Sequence, residues 1–293
     1  MHKAGFINII GNPNVGKSTL MNQLVGERLS IITSKAQTTR HRILGIVNGD
    51  DFQMVFSDTP GIIKAAYKLH EGMMNFVQSA MRDADIFLFM TDIYEEQLND
   101  EAILEKLRKT KRPLLLLINK MDQADEEKLT ALSDKWKALL PSAEILPISA
   151  LHNFNIDKVM ERIRELLPES PAFYPKDALT DKPERFFVAE MIREQIFLNY
   201  KKEVPYSCEV EVESFKESED IIRIMSIIYV ARESQKGILI GHQGGKLKKV
   251  GTEARKAMEA FFDKKVFLET LVKVDKDWRN KEDRLKRYGY FNS

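Results

Sequence analysis

Apolar and polar residues follow two different rhythms along this chain. Up to residue 167, short β-rich apolar runs stand at 6–10, 52–56, 86–90, 114–118 and 145–148, and amphipathic helical stretches alternate with them. Such alternation predicts a mostly parallel sheet with helices on both faces, an α/β fold. One more strand-like run, 43–47, follows a polar segment. Pro168, Pro171, Pro175 and Pro183 then punctuate a polar stretch that continues neither helix nor central strand, which predicts a linker over 168–184. Beyond it the order becomes a helix over about 189–200, adjacent strands at 208–214 and 221–231, a helix at 245–262, a strand at 266–274 and a last charged helix at 276–287. Strands in succession without a helix between them predict a smaller α+β unit. The chain therefore divides into 1–167, a linker at 168–184, and 185–293.

Composition adds limits. With 43% hydrophobic and 30% charged residues over 293 positions, the chain is long enough for two cores and is neither disordered nor fibrous. Cys208 is the only cysteine, which rules out an internal disulfide or a thiolate metal cluster and fits a reducing cytosol. The N-terminus has no signal-peptide layout, and no apolar run approaches the roughly 20 residues of a membrane span, so any membrane contact is expected to be peripheral. Net charge is only +1, yet 185–293 holds 22 basic against 18 acidic residues while 1–184 holds 23 against 26. The basic surface, and with it the place for a polyanion, falls in the C-terminal part.

The chemistry begins at Gly11-Asn12-Pro13-Asn14-Val15-Gly16-Lys17-Ser18, a phosphate-loop pattern that follows a strand and opens a helix. Backbone N–H groups of such a loop turn inward around phosphates, and the helix N-terminus adds positive potential. Lys17 is expected to reach the β- and γ-phosphates, and Ser18 to hold Mg²⁺. Downstream, Asp58-Thr59-Pro60-Gly61 stands near a strand end, where the Asp58 carboxylate can hold Mg²⁺ through water and the Gly61 N–H can meet the γ-phosphate. A third motif, Asn119-Lys120-Met121-Asp122, identifies the base. The Asp122 carboxylate can accept two hydrogen bonds from guanine that adenine cannot donate, so GTP is expected rather than ATP. Ser149-Ala150 is expected to supply a backbone N–H to the guanine O6. All four lie at C-terminal strand edges, where open α/β sheets bind ligands.

Between the first two motifs lies the polar segment Ala36-Gln37-Thr38-Thr39-Arg40-His41-Arg42. A threonine here would bind Mg²⁺ and the γ-phosphate only in the GTP state, making the loop a switch. Thr39 is assigned this role ahead of Thr38. Arg40, His41 and Arg42 are either a transition-state or partner contact or a solvated basic loop. Ile62 follows Gly61 at the nucleotide end, where Ras-like GTPases carry a glutamine that orients water; an aliphatic side chain cannot, so slow intrinsic hydrolysis is expected. Asn14 is similar to the asparagine that potassium-activated GTPases place beside a monovalent cation, so K⁺ is a further expected cofactor.

In the C-terminal part, 238–248 reads as strand end, glycine turn and basic helix. A Gly241-His242-Gln243-Gly244 loop before Lys246, Lys248, Lys249, Arg255 and Lys256 has the form with which type II KH domains clamp single-stranded RNA, with an apolar groove beside it for the bases.

From end to end the chain resembles the bacterial Era GTPases, which belong to the TrmE-Era-EngA-like P-loop GTPases. The resemblance rests on residues 11–18, on 35–42, on 58–61, on 119–122, on the glycine loop at 241–244, and on the ending from Val272 through Asp277-Trp278-Arg279-Asn280 to Gly289-Tyr290. It implies binding of the 3′ end of 16S ribosomal RNA, a role in assembling and maturing the small ribosomal subunit, a monomeric state, and a cytoplasmic protein associated peripherally with the inner face of the cell membrane. One departure is that relatives commonly carry lysine in the clamp loop where this chain has His242-Gln243. Two rival functions come from other classes: a tRNA-modifying GTPase, which would carry a catalytic cysteine or folate site where this sequence has neither, and an adaptor that senses the GTP:GDP ratio with hydrolysis incidental.

Overall fold

In the computed structural model, residues 1–95 and 97–291 are described. They form two compact units, one of Met1–Ala66 with Met73–Asp181, the other of Tyr67–Gly72 with the chain from Lys182 on.

The first unit is built on β1 (Lys3–Ile10), α1 (Lys17–Val25), β2 (Ile43–Asn48), β3 (Phe52–Asp58), α2 (Lys68–Asp83) from Met73 on, β4 (Ile86–Asp92), α3 (Glu101–Lys109), β5 (Leu114–Asn119), α4 (Glu126–Leu139), β6 (Glu144–Pro147) and α5 (Ile156–Leu166). Its strands lie in the order β2-β3-β1-β4-β5-β6. All neighbours pair in parallel except β2 and β3, which are antiparallel. The central strands β4 and β5 bury every residue, as strands covered on both faces do. On one face Phe87, Phe89, Leu114, Leu116 and Ile118 pack under Val77 of α2, Leu107 of α3 and Trp136 of α4; α1 and α5 lie together on the other. This layering leaves the C-terminal edges of β1, β3, β4 and β5 open, and the motif loops emerge there.

Residues 168–181, expected as a linker, are laid along the first unit. The Gln53 amide, fully buried in β3, accepts from the backbone N–H groups of Phe173 and Tyr174 at 2.7 and 3.0 Å and donates to Tyr174 O at 2.8 Å. Further on, Ile46 N donates to Leu179 O at 2.8 Å and Leu44 N to the Asp181 carboxylate at 3.0 Å. β2 is an edge strand whose outward N–H groups need acceptors, and this stretch supplies them.

The second unit runs α6 (Glu184–Asn199), β7 (Cys208–Glu217), β8 (Ile221–Val230), α7 (Glu233–Ile240), α8 (Gly245–Phe262), β9 (Lys265–Val274) and α9 (Glu282–Arg287). Its sheet has the order β7-β8-β9, antiparallel then parallel, with a bulge between Val212 and Ser214. Alternate residues Ile222, Ile224, Ile228 and Val230 of β8 face Val188, Ile192 and Ile196 of α6, Leu239 of α7, and Val250, Ala254 and Met258 of α8. Three expectations are corrected. Residues 238–240 are the last turn of α7, not a strand end; only Leu239 of the three is buried, the spacing of a helix face. α6 begins five residues earlier than expected, with Pro183 at its N-cap. The terminal helix is short, because Asp277 adopts a left-handed φ of 57° and residues 278–280 form a separate turn that buries Trp278.

Candidate functional site

The loop between β1 and α1 curls over a cavity of about 460 Å³, within the size range of small-molecule sites. Pro13, Asn14, Gly16, Lys17, Ser18, Thr39, Thr59, Gly61, Asn119, Lys120, Asp122 and Ser149 line it, so residues from four separate motifs meet there. Lys17 is buried, with Nζ donating to Gly11 O at 3.1 Å and Asn12 O at 2.7 Å. Burial pushes its ammonium down to about 8, while the charges of Asp58 and Glu95 pull the other way.

Three hard oxygens converge beside it. Ser18 Oγ lies 2.7 Å from Asp58 Oδ2 and 2.8 Å from Thr39 Oγ1, and Thr39 Oγ1 lies 3.5 Å from the same carboxylate. Asp58 is fully buried, which raises its carboxyl above the usual range, and its Oδ1 has no hydrogen-bond partner among the described residues. A buried carboxylate oxygen left unpaired beside two hydroxyls fits a hard divalent cation such as Mg²⁺. Thr38 is directed elsewhere, bonding Thr33 Oγ1 at 2.6 Å and Lys35 O at 2.7 Å.

Asn119 ties the base end to the phosphate end. Its Nδ2 donates to Val15 O at 2.8 Å and its Oδ1 accepts from Ala150 N at 2.9 Å. Lys120 Nζ pairs with the Asp92 carboxylate and reaches Asn14 O at 3.2 Å. Asp122 stands at the cavity mouth with a carboxyl held low by the Ser149 hydroxyl, and His152 Nε2 lies 3.6 Å away.

Several expectations are corrected by position. Ile62 does not line the cavity; it is fully buried in the core under β4 and β5, and only its backbone touches the loop, N–H to Gly11 O at 3.0 Å. The N–H groups of Ser149 and Ala150 are turned to Phe154 O and Asn119 Oδ1, so neither is aimed at a base. Gly11, Asn12, Val15, Asp58, Pro60 and Met121 also lie outside the lining. The basic segment after Thr39 is no solvated loop. Arg40 is fully buried, His41 rests on Phe76, and Arg42 makes a two-pronged pair with Asp83 at 2.5 and 3.0 Å and donates to Ser57 at 2.7 Å. Asp92, Glu95 and Asn99 were missed; the signal for Asp92 was an acid closing a buried strand at the ligand edge. Burial raises the Glu95 carboxyl, and its bond with the Asn12 amide opposes this.

In the second unit, Gly241 and Gly244 take left-handed φ of 71° and 75° and Gln243 takes 49°, making a sharp turn between α7 and α8. Beside the turn a groove of about 350 Å³ runs between α8 and the edge strand β9, lined by Gly244, Leu247, Lys248, Gly251, Thr252, Arg255, Leu268 and Thr270. His242, Gln243, Lys246, Lys248 and Lys249 are solvent-facing around it. Two of the expected cations are neutralised locally, Arg255 by Glu259 at 2.7 Å and Lys256 by Glu253 at 3.0 Å.

Comparison with known proteins gives both units counterparts. Residues 6–120 match the family described as 50S ribosome-binding GTPase, and residues 203–279 match the KH domain. The GTPase Era of Ruminiclostridium cellulolyticum is 43% identical over 291 residues, covering 99% of this chain and 98% of its own. A crystal structure of Era in complex with MgGDPNP and nucleotides 1506–1542 of 16S ribosomal RNA superposes with a TM-score of 0.94 at 36% identity, covering 99% of each chain. A point variant of Aquifex aeolicus Era bound to GDP·AlF4⁻ matches with the same TM-score and identity over 98% of this chain and 99% of that one.

Proposed function

The chain belongs to the Era family of GTPases, and from that premise we propose that it is a GTP-hydrolysing switch that binds the 3′ end of 16S ribosomal RNA during assembly and maturation of the small ribosomal subunit. The observation that carries the switch is the meeting of the Ser18 and Thr39 hydroxyls at Asp58 Oδ2, with Oδ1 of the same buried carboxylate left without a partner among the described residues. Thr39 comes from a loop and Asp58 from a strand end, so one cation with a γ-phosphate can hold the two together and the loss of that phosphate releases them. Ser18, Thr39 and Asp58 would hold Mg²⁺, which would supply positive charge against the phosphates. Lys17 takes the β- and γ-phosphates, the Gly61 N–H meets the γ-phosphate, and the Asp122 carboxylate takes the guanine N–H groups. Asn14, which lines the cavity, would help hold K⁺ on this reading.

Hydrolysis without a partner is slow on this reading, because the position after Gly61 offers no side chain to orient water. The glycine turn and the groove between α8 and β9 take RNA, the turn gripping backbone phosphates and the groove accepting bases. A relative solved with 16S nucleotides supports that assignment. No described helix is long and apolar enough to cross a membrane; a monomer in the cytoplasm with peripheral attachment to the membrane face accords with the family.

The test compares binding of the purified chain to an oligonucleotide from the 16S 3′ end in the GTP-analogue and GDP states at one salt concentration. Tighter binding with the analogue is expected. Equal binding in both states would remove the switch, and no binding would remove the RNA.

A further inference from the structure

Resting on the reading of Gly61 as the residue that meets the γ-phosphate, we propose that Asn99, in the loop between β4 and α3, is a positioning residue for GTP hydrolysis. Its side-chain Nδ2 donates to Ile62 O at 3.2 Å, and its backbone N–H donates to Asn12 Oδ1 at 3.0 Å. Ile62 in turn donates its own N–H to Gly11 O at 3.0 Å. These bonds close a ring that runs from the phosphate loop through Ile62 to Asn99 and back to the phosphate loop. Asn12 is buried and its amide is fully used, since Nδ2 also donates to Gln97 O at 2.9 Å and to the Glu95 carboxylate.

The ring fixes the residue immediately after Gly61 at both its N–H and its C=O. Gly61 itself is pressed against the phosphate loop so closely that a Cβ there would stand 2.7 Å from the Pro13 backbone. Ile62 gives its side chain to the core. The rate therefore depends on where the backbone of 61–62 sits, and preorganised backbone dipoles act only when they are already in place. Asn99 is the exposed member of the ring, so removing its side chain leaves the core intact. GDP carries no γ-phosphate and does not use the Gly61 N–H. Losing the Asn99 amide should thus separate the two nucleotides.

The experiment uses the full chain with Asn99→Ala, Asn99→Gln and Asn99→Asp, with Gly61→Ala as the reference for the underlying reading. Asn99→Ala is expected to lower kcat for GTP hydrolysis about tenfold, the rate equivalent of one hydrogen bond, and to weaken binding of a non-hydrolysable GTP analogue while leaving GDP affinity and the thermal midpoint unchanged. Asn99→Gln keeps an amide donor and should recover most of the rate; Asn99→Asp sets an acceptor against the Ile62 carbonyl and should be at least as slow as alanine. A wild-type rate in Asn99→Ala, or equal loss of GDP and analogue affinity, overturns the role of Asn99. If Gly61→Ala also hydrolyses GTP at the wild-type rate, it is the reading of Gly61 that has failed; if only Gly61→Ala is slow, the failure belongs to Asn99 alone.

Discussion

Asp122 and Lys17 set the chemistry one residue at a time. On the proposed reading the carboxylate at 122 would accept from guanine, whereas an amide would donate toward the same edge. Asp122→Asn should therefore cost at least about a hundredfold in GDP affinity and shift preference toward xanthine nucleotide, measured by competition binding. An unchanged preference would mean that the base is read elsewhere. Lys17 supplies the pH dependence. Its ammonium is pushed down to about 8 by burial, so above that pH a growing share of the nucleotide-free chain holds a neutral amine. Phosphates favour the charged form, so binding must take up a proton there, and GDP affinity falls as pH rises above about 8. Calorimetry in two buffers of different ionisation enthalpy checks this; affinity that rises over that range would contradict it. At this scale much of the site was legible. Thr39 was assigned ahead of Thr38, and it is the Thr39 hydroxyl that lies beside Ser18 while that of Thr38 turns to Thr33. The side of Ile62 that faces the core and the acceptors that take the Ser149 and Ala150 N–H groups depend on neighbours far along the chain, which no local pattern encodes.

Elements are legible where a period runs long and poorly legible where it is short. The buried runs of β4 and β5 and the 18-residue α8 stood out from sequence, α8 with the same bounds. The eight-residue α7 did not, because two turns of helix ending in Ile-Leu-Ile before a glycine look like a strand. The run over 168–181 reads as a loop by composition, and only the unpaired edge of β2 explains why it is fixed. α8 also carries a prediction. Gly251 lies inside that helix and lines the groove, and a Cβ on it would touch nothing within 4 Å. Gly251→Ala should stabilise the second unit by about 0.5–1 kcal/mol, read from denaturant unfolding. Gly251→Leu should fill the groove and lower RNA affinity more than tenfold with GTP hydrolysis unaltered; intact RNA binding would place the bases on another surface.

At the scale of the whole molecule, two units with separate cores share one chain. GDP at a hundred times its Kd adds about 2.7 kcal/mol to whatever unfolds with its site. Hydrogen exchange should slow in the amides of β1 and β5 and stay unchanged in those of β8, and equal slowing in β8 would mean that the two cores open as one. The two-part organisation was legible from the change in element order after residue 167, while the exact division was not, because 168–181 is secured by side chains such as Gln53 whose role appears only in three dimensions. The groove beside α8 has one further consequence. Among the described residues β9 pairs with β8 alone, so its other edge lies open beside the groove. An open edge presents a template to polypeptide, so it carries a hazard of self-association there. Lys265, Glu269 and Lys273 recur along that strand between exposed Phe267 and Leu271. Charges in such alternation are gatekeepers, which make the edge unattractive to a second copy of the chain.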